Sequence, residues 1–301
     1  MHGLNDLEKL ISPEYPQLVG RIRQQIEDSE KAYSQDKKGE EQAFAGFLWE
    51  HTVHVAAITQ KIALDENVNV LNAVVAALFH DSGKFFKGQY HDDEKPEEES
   101  AAELAQKILD DEGMNIADIE TITTAIIALY SETKTPSKIT DVVHDADFLA
   151  KFGYLGVAHF FTKSALRKKT LYKTLISSLS KELTYAYVLE ANMRTKAGKK
   201  MATKKSEATQ SFYKGLLEEL REAGIAFFNI KKESFSCPKN PDRVFTLLMA
   251  IPEDCPECSK DLSINFTSQR QTKCEQLTAK IHCVNCPNEY KVSFCLPEMA
   301  R

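Results

Sequence analysis

The chain of 301 residues contains no apolar run approaching the roughly 18 residues that a membrane-spanning helix needs. Its start, MHGLNDLEKLISPEYP, lacks the basic-then-apolar order of a signal peptide, so a cytoplasmic protein with no membrane partner is expected. Positive charge is not in excess either. With 38 Lys and Arg against 44 Asp and Glu the net charge is −6, which excludes a general polyanion binder and leaves any anion-binding surface local. No internal repeat is visible, and there is one Trp, Trp49. Cysteine is missing from the first 236 positions; all seven lie at 237, 255, 258, 274, 283, 286 and 295. A disulfide framework would be odd in a chain without an export signal, so the clustering points to a metal module at the C-terminal end.

What is present divides by pattern. From about residue 4 to residue 225, apolar residues recur at three- and four-residue spacing, broken by Gly and Pro, which predicts an all-α bundle. After Gly224 come short strand-like runs, among them IAFFNI, RVFTLLMAI, SINFTS, AKIHCVNC and YKVSF. The expected architecture is therefore mainly α, a helical domain over 1–225 followed by a small β-rich domain over 226–301. Charge is uneven as well: residues 163–205 hold 12 Lys and Arg against Glu182 and Glu190, a local net of +10. A phosphate-bearing ligand would be drawn to such a segment, although each single Lys or Arg there also suits a solvated helix face.

Two histidine positions stand out. In LWEHTVHVAAITQKIAL, His51 shares the helical stripe of Leu48, Val55, Ile58 and Ile62, so it points inward, where both ring nitrogens need partners; a metal ion is one such partner. The nearly all-apolar segment VLNAVVAALFHDSGK then ends in adjacent His80 and Asp81. A buried carboxylate at that point is costly unless something positive meets it, and at a fraying last turn both side chains can reach one ion.

The pieces HTVHVAAITQKIA, AALFHDSGK and VVHDADFLAKFGYLG, in that order, resemble the HD-domain superfamily of metal-dependent phosphohydrolases. With later helices the resemblance covers roughly residues 20–225. It implies that His51, His80, Asp81 and Asp145 hold one divalent metal ion. The choice of Asp145 over Asp147 rests on the resemblance, because both lie outside the apolar stripe of Ile139, Val142, Val143, Ala146 and Leu149. Family members with two metals carry further histidines between the His-Asp pair and the distal Asp. Only His91 and His144 stand there in this chain, so a single-metal site is expected, filled by Mn, Fe, Ni, Co or Zn. The segment ANMRTKAGKKMATKKSEATQSFYKGLLEEL is similar to the late helices of nucleotide-type members, which implies substrate contacts from Arg194, Lys199 and Lys200.

A divalent ion lowers the pKa of bound water and polarises a phosphoryl oxygen, so hydrolysis of a phosphate ester, most simply a nucleotide, is the expected activity. Asp81 would orient the water and Lys84 would meet the phosphate, although a lysine at a helix end also satisfies terminal carbonyls. A nucleotide-binding sensor without turnover and a single-strand nuclease are the competing expectations. The acidic run Glu97–Glu99 after Pro96 reads as the first turn of a helix rather than a ligand set.

CPEC at 255–258 and CVNC at 283–286, with 24 residues between them, have the arrangement of a zinc ribbon. Cys255, Cys258, Cys283 and Cys286 would close a structural Zn site that supplies folding energy to a small β-domain. The ribbon is not notably basic, so contact with a protein or a nucleic acid is equally open. Cys237, Cys274 and Cys295 read as small buried hydrophobes or surface thiols, any one of which could substitute as a ligand.

Overall fold

The computed structural model describes residues 2–36, 46–85, 95–131, 134–237, 240–255, 257–270 and 275–296. Among these, ten α-helices precede five strands. The helices are α1 (His2–Ile11), α2 (Leu18–Asp36), α3 (Phe47–Asp65), α4 (Val70–Phe79), α5 (Glu97–Asp111), α6 (Ile116–Ile127), α7 (Lys138–Ala150), α8 (Gly153–Leu166), α9 (Leu171–Tyr187) and α10 (Lys196–Glu222). The strands are β1 (Phe228–Cys237), β2 (Asn240–Pro252), β3 (Leu262–Arg270), β4 (Glu275–Cys283) and β5 (Glu289–Leu296). The mainly α architecture with a small β-rich end, expected from the pattern, is what the structure shows. By contacts the chain divides elsewhere, into one unit of residues 1–151 with 193–201 and another of 152–192 with 202–301. The change from helix to strand at Phe228 thus falls inside the second unit.

In the first unit α4 is the central element. Its residues Ala73 to Phe79 are at most 1% exposed, which explains a helix apolar on every side. It starts where Asn69 accepts a hydrogen bond from the Asn72 N–H, and it packs against α3, α6 and α7. Helix α7 opens with a reciprocal cap between Ser137 and Thr140 and packs on α3. Helix α3 has no capping side chain of its own; instead Glu30, in the middle of α2, accepts the backbone N–H groups of Gly46 and Leu48 at 2.8 Å each.

In the second unit β1 and β2 form one antiparallel pair, and β3, β4 and β5 form a three-stranded antiparallel sheet. Phe245, Leu247, Met249, Leu277, Ile281, Val292 and Phe294 make their common core. Helix α9 closes the outer edge of β2: the Ser180 hydroxyl accepts from Ala250 N–H at 2.9 Å and donates to Ala250 C=O at 3.2 Å. One turn on, the Thr184 hydroxyl does the same to Leu248, at 2.9 and 3.4 Å. A helix with hydroxyls at i and i+4 thereby stands in for a neighbouring strand and satisfies a sheet edge.

Candidate metal centres

His51 lies on α3, His80 and Asp81 at the end of α4, and the packing of these helices brings three ligand-type atoms within 4.8 Å of one another. The His80 side chain is fully buried. Its Nδ1 lies 2.7 Å from the Ala77 carbonyl, an acceptor, so in the neutral ring, the form that ligates, the proton is on Nδ1 and Nε2 presents a lone pair. That Nε2 has no hydrogen-bond partner and faces carboxylate oxygens of Asp81 at 3.5 Å and Asp147 at 3.8 Å. A lone pair opposed to two carboxylates is repelled unless a cation lies among them, and a second ring N–H tied to a carbonyl is the usual support of a metal-binding histidine. His51 Nε2 is 3.1 Å from Asp147 Oδ1 and 3.7 Å from Asp81 Oδ2. The two nitrogens and two oxygens are a donor set that divalent transition ions accept.

The fourth member corrects the expectation from sequence, because the structure does not bring Asp145 to this cluster. Asp145 is fully buried and its oxygens accept from Arg194 N–H at 2.9 and 3.1 Å, Thr195 N–H at 2.8 Å and the Thr195 hydroxyl at 2.7 Å, with His144 Nδ1 at 3.0 Å. A carboxylate with that many donors is a bracket for the start of α10. Gly198 belongs to the same bracket, since a Cβ there would collide with Asp145 Oδ2. Residues 145 and 147 project about 200° apart on a helix, and it is Asp147 that meets His51.

Electrostatics sort the charges around the cluster. Burial pushes the Asp81 carboxyl up, but His80 and Lys84 outweigh it and hold Asp81 well below the usual carboxylate range. Burial acts on Asp147 in the same direction and is overcome by Lys151 and His51. Lys84 Nζ is 2.6 Å from Asp81 Oδ2, and these carboxylates raise its pKa against the effect of burial. Burial lowers the His51 pKa, only partly offset by Asp147, which favours the neutral form of the ring, the form that ligates. The Tyr130 hydroxyl donates to Asp147 Oδ2, and its pKa is raised by burial of the hydroxyl end and by that carboxylate.

The remaining candidates are placed as follows. Arg194 is exposed and its guanidinium is 3.4 Å from Asp141; Lys199 and Lys200 are exposed on the first turns of α10. All three belong to the first unit with the His-Asp cluster, whereas most of the basic stretch 163–205 belongs to the second. The Glu97–Glu99 run forms the first turn of α5 after Pro96. Gly83 lets the chain after the His-Asp pair approach that turn closely, because a Cβ there would strike the Glu97 carbonyl. His91 and Cys274 lie outside the described residues. Sequence reasoning weighs Asp147 and passes it over, and it misses Tyr130 and Lys151 as partners of this cluster.

In the second unit Cys255, Cys258, Cys283 and Cys286 converge with all four Sγ atoms within 4.8 Å of one another. Sγ separations of 3.6 Å for Cys255 and Cys286 and 3.4 Å for Cys258 and Cys283 suit a shared tetrahedral ion. Burial pushes the Cys255 thiol up, but the N–H groups of Glu257 and Cys258 and the Asn288 amide more than offset it and bring it to about 6. A thiolate is therefore available at neutral pH, which is the form that ligates.

Residues 48–151 match the HD domain family model. No protein of curated function matches the chain. Among solved structures, Bacillus subtilis YpgQ is 18% identical with a TM-score of 0.50, over 68% of this chain and 97% of that one. A second structure of that protein, in complex with ADP, is 17% identical with a TM-score of 0.46, over 67% and 97%. A predicted HD superfamily hydrolase from an uncultured Thermotogales bacterium is 22% identical with a TM-score of 0.49, over 72% and 98%. These likenesses concern the fold. The match to the HD domain family is thus carried by residues 48–151, and the four-cysteine cluster of the second unit is compatible with a zinc ribbon. No helix among the described residues is long and apolar enough to cross a membrane.

Proposed function

We propose that the protein is a metal-dependent phosphohydrolase acting on a phosphate ester, a nucleotide being the intended class. The observation that carries this reading is the buried, unpartnered Nε2 of His80 aimed at Asp81 and Asp147 beside His51. His51, His80, Asp81 and Asp147 would hold one divalent ion, Mn, Fe, Ni, Co or Zn according to availability, with Asp147 in the place first given to Asp145. When bound, such an ion supplies Lewis acidity and a water of lowered pKa. The chain's own residues do the rest. Asp81 orients the attacking water, and Lys84, the neighbouring cation, neutralises charge on the phosphoryl oxygens. Arg194, Lys199 and Lys200, in the same unit, favour a substrate with further negative charge, as a nucleotide has. The four cysteines would hold a structural Zn, closed to water and without a part in turnover. A protein or nucleic acid could dock on that ribbon only as a separate activity.

The test is metal content and phosphate release on the wild type and on Asp81→Ala, both purified without added metal, over a panel of nucleotides. One zinc plus a second ion that disappears in the variant, together with turnover lost in the variant, is the expected result. Undiminished turnover by Asp81→Ala would sink the assignment.

A further inference from the structure

Asp147 differs from Asp81 in how its two oxygens are used. Its Oδ1 is the atom that approaches the imidazoles, 3.1 Å from His51 Nε2 and 3.8 Å from His80 Nε2. Its Oδ2 points the other way and takes two donors, the Tyr130 hydroxyl and, at 2.8 Å, Lys151 Nζ. Those donors come from different places in the fold. Tyr130 lies just beyond the end of α6, and Lys151 is one turn after Asp147 at the end of α7. Each is itself held. The Lys151 ammonium stands 5.3 Å from the centroid of the Phe148 ring, and the Tyr130 ring lies 6.1 Å from that of His144. A carboxylate turns freely about its last bond unless both oxygens are engaged; two donors on one oxygen fix which oxygen is offered. They also discourage the bidentate mode, because Oδ2 is already shared between a hydroxyl and an ammonium.

We propose that Tyr130 and Lys151 form an outer clamp of the HD metal centre, two positioning residues that hold Asp147 by Oδ2 so that Oδ1 alone is presented to the ion. The inference rests on the metal-site reading above and goes beyond it by assigning roles to two residues that touch neither ion nor substrate. Partners of this kind set affinity as strongly as some ligands do, with losses of about 10- to 100-fold on removal.

The experiment is titration of the full-length protein with Mn²⁺, free ion being read by electron paramagnetic resonance. Mn²⁺ prefers oxygen and nitrogen donors, so the thiolate cluster does not compete. Tyr130→Phe removes the hydroxyl and keeps the ring; Lys151→Met removes the charge and keeps the stem over Phe148. Each is expected to weaken Mn²⁺ binding by about 10- to 100-fold. Lys151→Arg should restore most of the loss, which a merely structural role for the side chain would not require. Thermal midpoints of the chelator-treated variants should match the wild type. If wild type binds Mn²⁺ and both single variants bind it equally well, the clamp is wrong and the metal site stands. If wild type takes up neither Mn²⁺ nor any co-purifying second ion, the metal-site reading falls and the clamp falls with it.

Discussion

Asp145 and Asp147 make opposite predictions from neighbouring positions on one helix. In Asp145→Asn one carboxylate oxygen becomes an amide nitrogen that faces donors it cannot accept from. Whichever way the amide turns, it confronts either Arg194 N–H with His144, or Thr195 with its N–H and hydroxyl. Two charge-assisted hydrogen bonds are lost at about 1.5–3 kcal/mol each, less the desolvation relieved by removing a buried charge, for a net cost of roughly 3 kcal/mol. In urea this corresponds to a midpoint lower by about 1 M for a slope of about 3 kcal/mol/M. Metal content should stay at the wild-type level. Asp147→Asn should do the reverse: the second ion is lost, the ribbon zinc is kept, and the urea midpoint of the chelator-treated protein moves by less than half as much. Elemental analysis and urea unfolding on the same two preparations decide the matter. Loss of the ion from Asp145→Asn with retention in Asp147→Asn would refute the reasoning and return the ligand role to Asp145.

Three other predictions follow from single features. Burial raises the Glu30 carboxyl from 4.5 to about 7 against the help of Leu48 and Gly46 N–H, so its contribution to stability is fully present below pH 4.5 and is lost as pH rises through 7. At about 1.4 kcal/mol per pH unit the loss is on the order of 3 kcal/mol, and it should be seen as the pH-dependent difference between wild type and Glu30→Gln in denaturant unfolding at pH 4.5 to 8; parallel curves would contradict it. Cys283→Ser should release zinc and lift the protection of the β3–β5 amides in hydrogen exchange while leaving α3, α4 and α7 protected; unchanged zinc content would remove the ribbon assignment. Thr184→Val keeps the shape of the side chain but strips the Leu248 N–H and C=O of their partner, and should cost about 1–3 kcal/mol in urea unfolding; a neutral result would mean the β2 edge does not need its helical cover.

Much of this architecture is legible in order of sequence. The apolar run of α4 announces burial, and the two Cys-x-x-Cys turns meet as their spacing says they should. Pattern is informative there because the partners lie within one element or because the thiols have few other uses. It fails where the decision belongs to tertiary packing. Asp145 and Asp147 are alike to periodicity, both outside the apolar stripe, and only the packing of α7 on α3 decides which meets His51. Tyr130 stands in a connection with no period. Glu30 looks like one more acid in a polar helix, yet it is 1% exposed because its partners are backbone groups 16 and 18 residues away. The basic stretch from 163 to 205 reads as one strip, but the chain passes between two units within it, so that only residues 193–201 share a unit with the His51–His80 cluster.

Helix α7 carries contacts to both. Asp141 and Asp147, six residues apart, lie about 120° round the helix from each other, Asp141 meeting Arg194 and Asp147 meeting His51. At 1.5 Å per residue the two are about 9 Å apart along the axis. Asp145, the i+4 neighbour of Asp141, holds Arg194 and Thr195 by their backbone N–H groups, while Glu66 at the end of α3 takes the Ala197 N–H at 2.7 Å. The start of α10 is therefore fastened to the same two helices that carry His51 and Asp147. On the function proposed above, a phosphate at the His51–His80 cluster and a second anionic group at Arg194 would both meet residues of the same unit. The residue that resemblance placed in the metal shell instead ties the start of the basic helix α10 to α7 by its hydrogen bonds to Arg194 and Thr195.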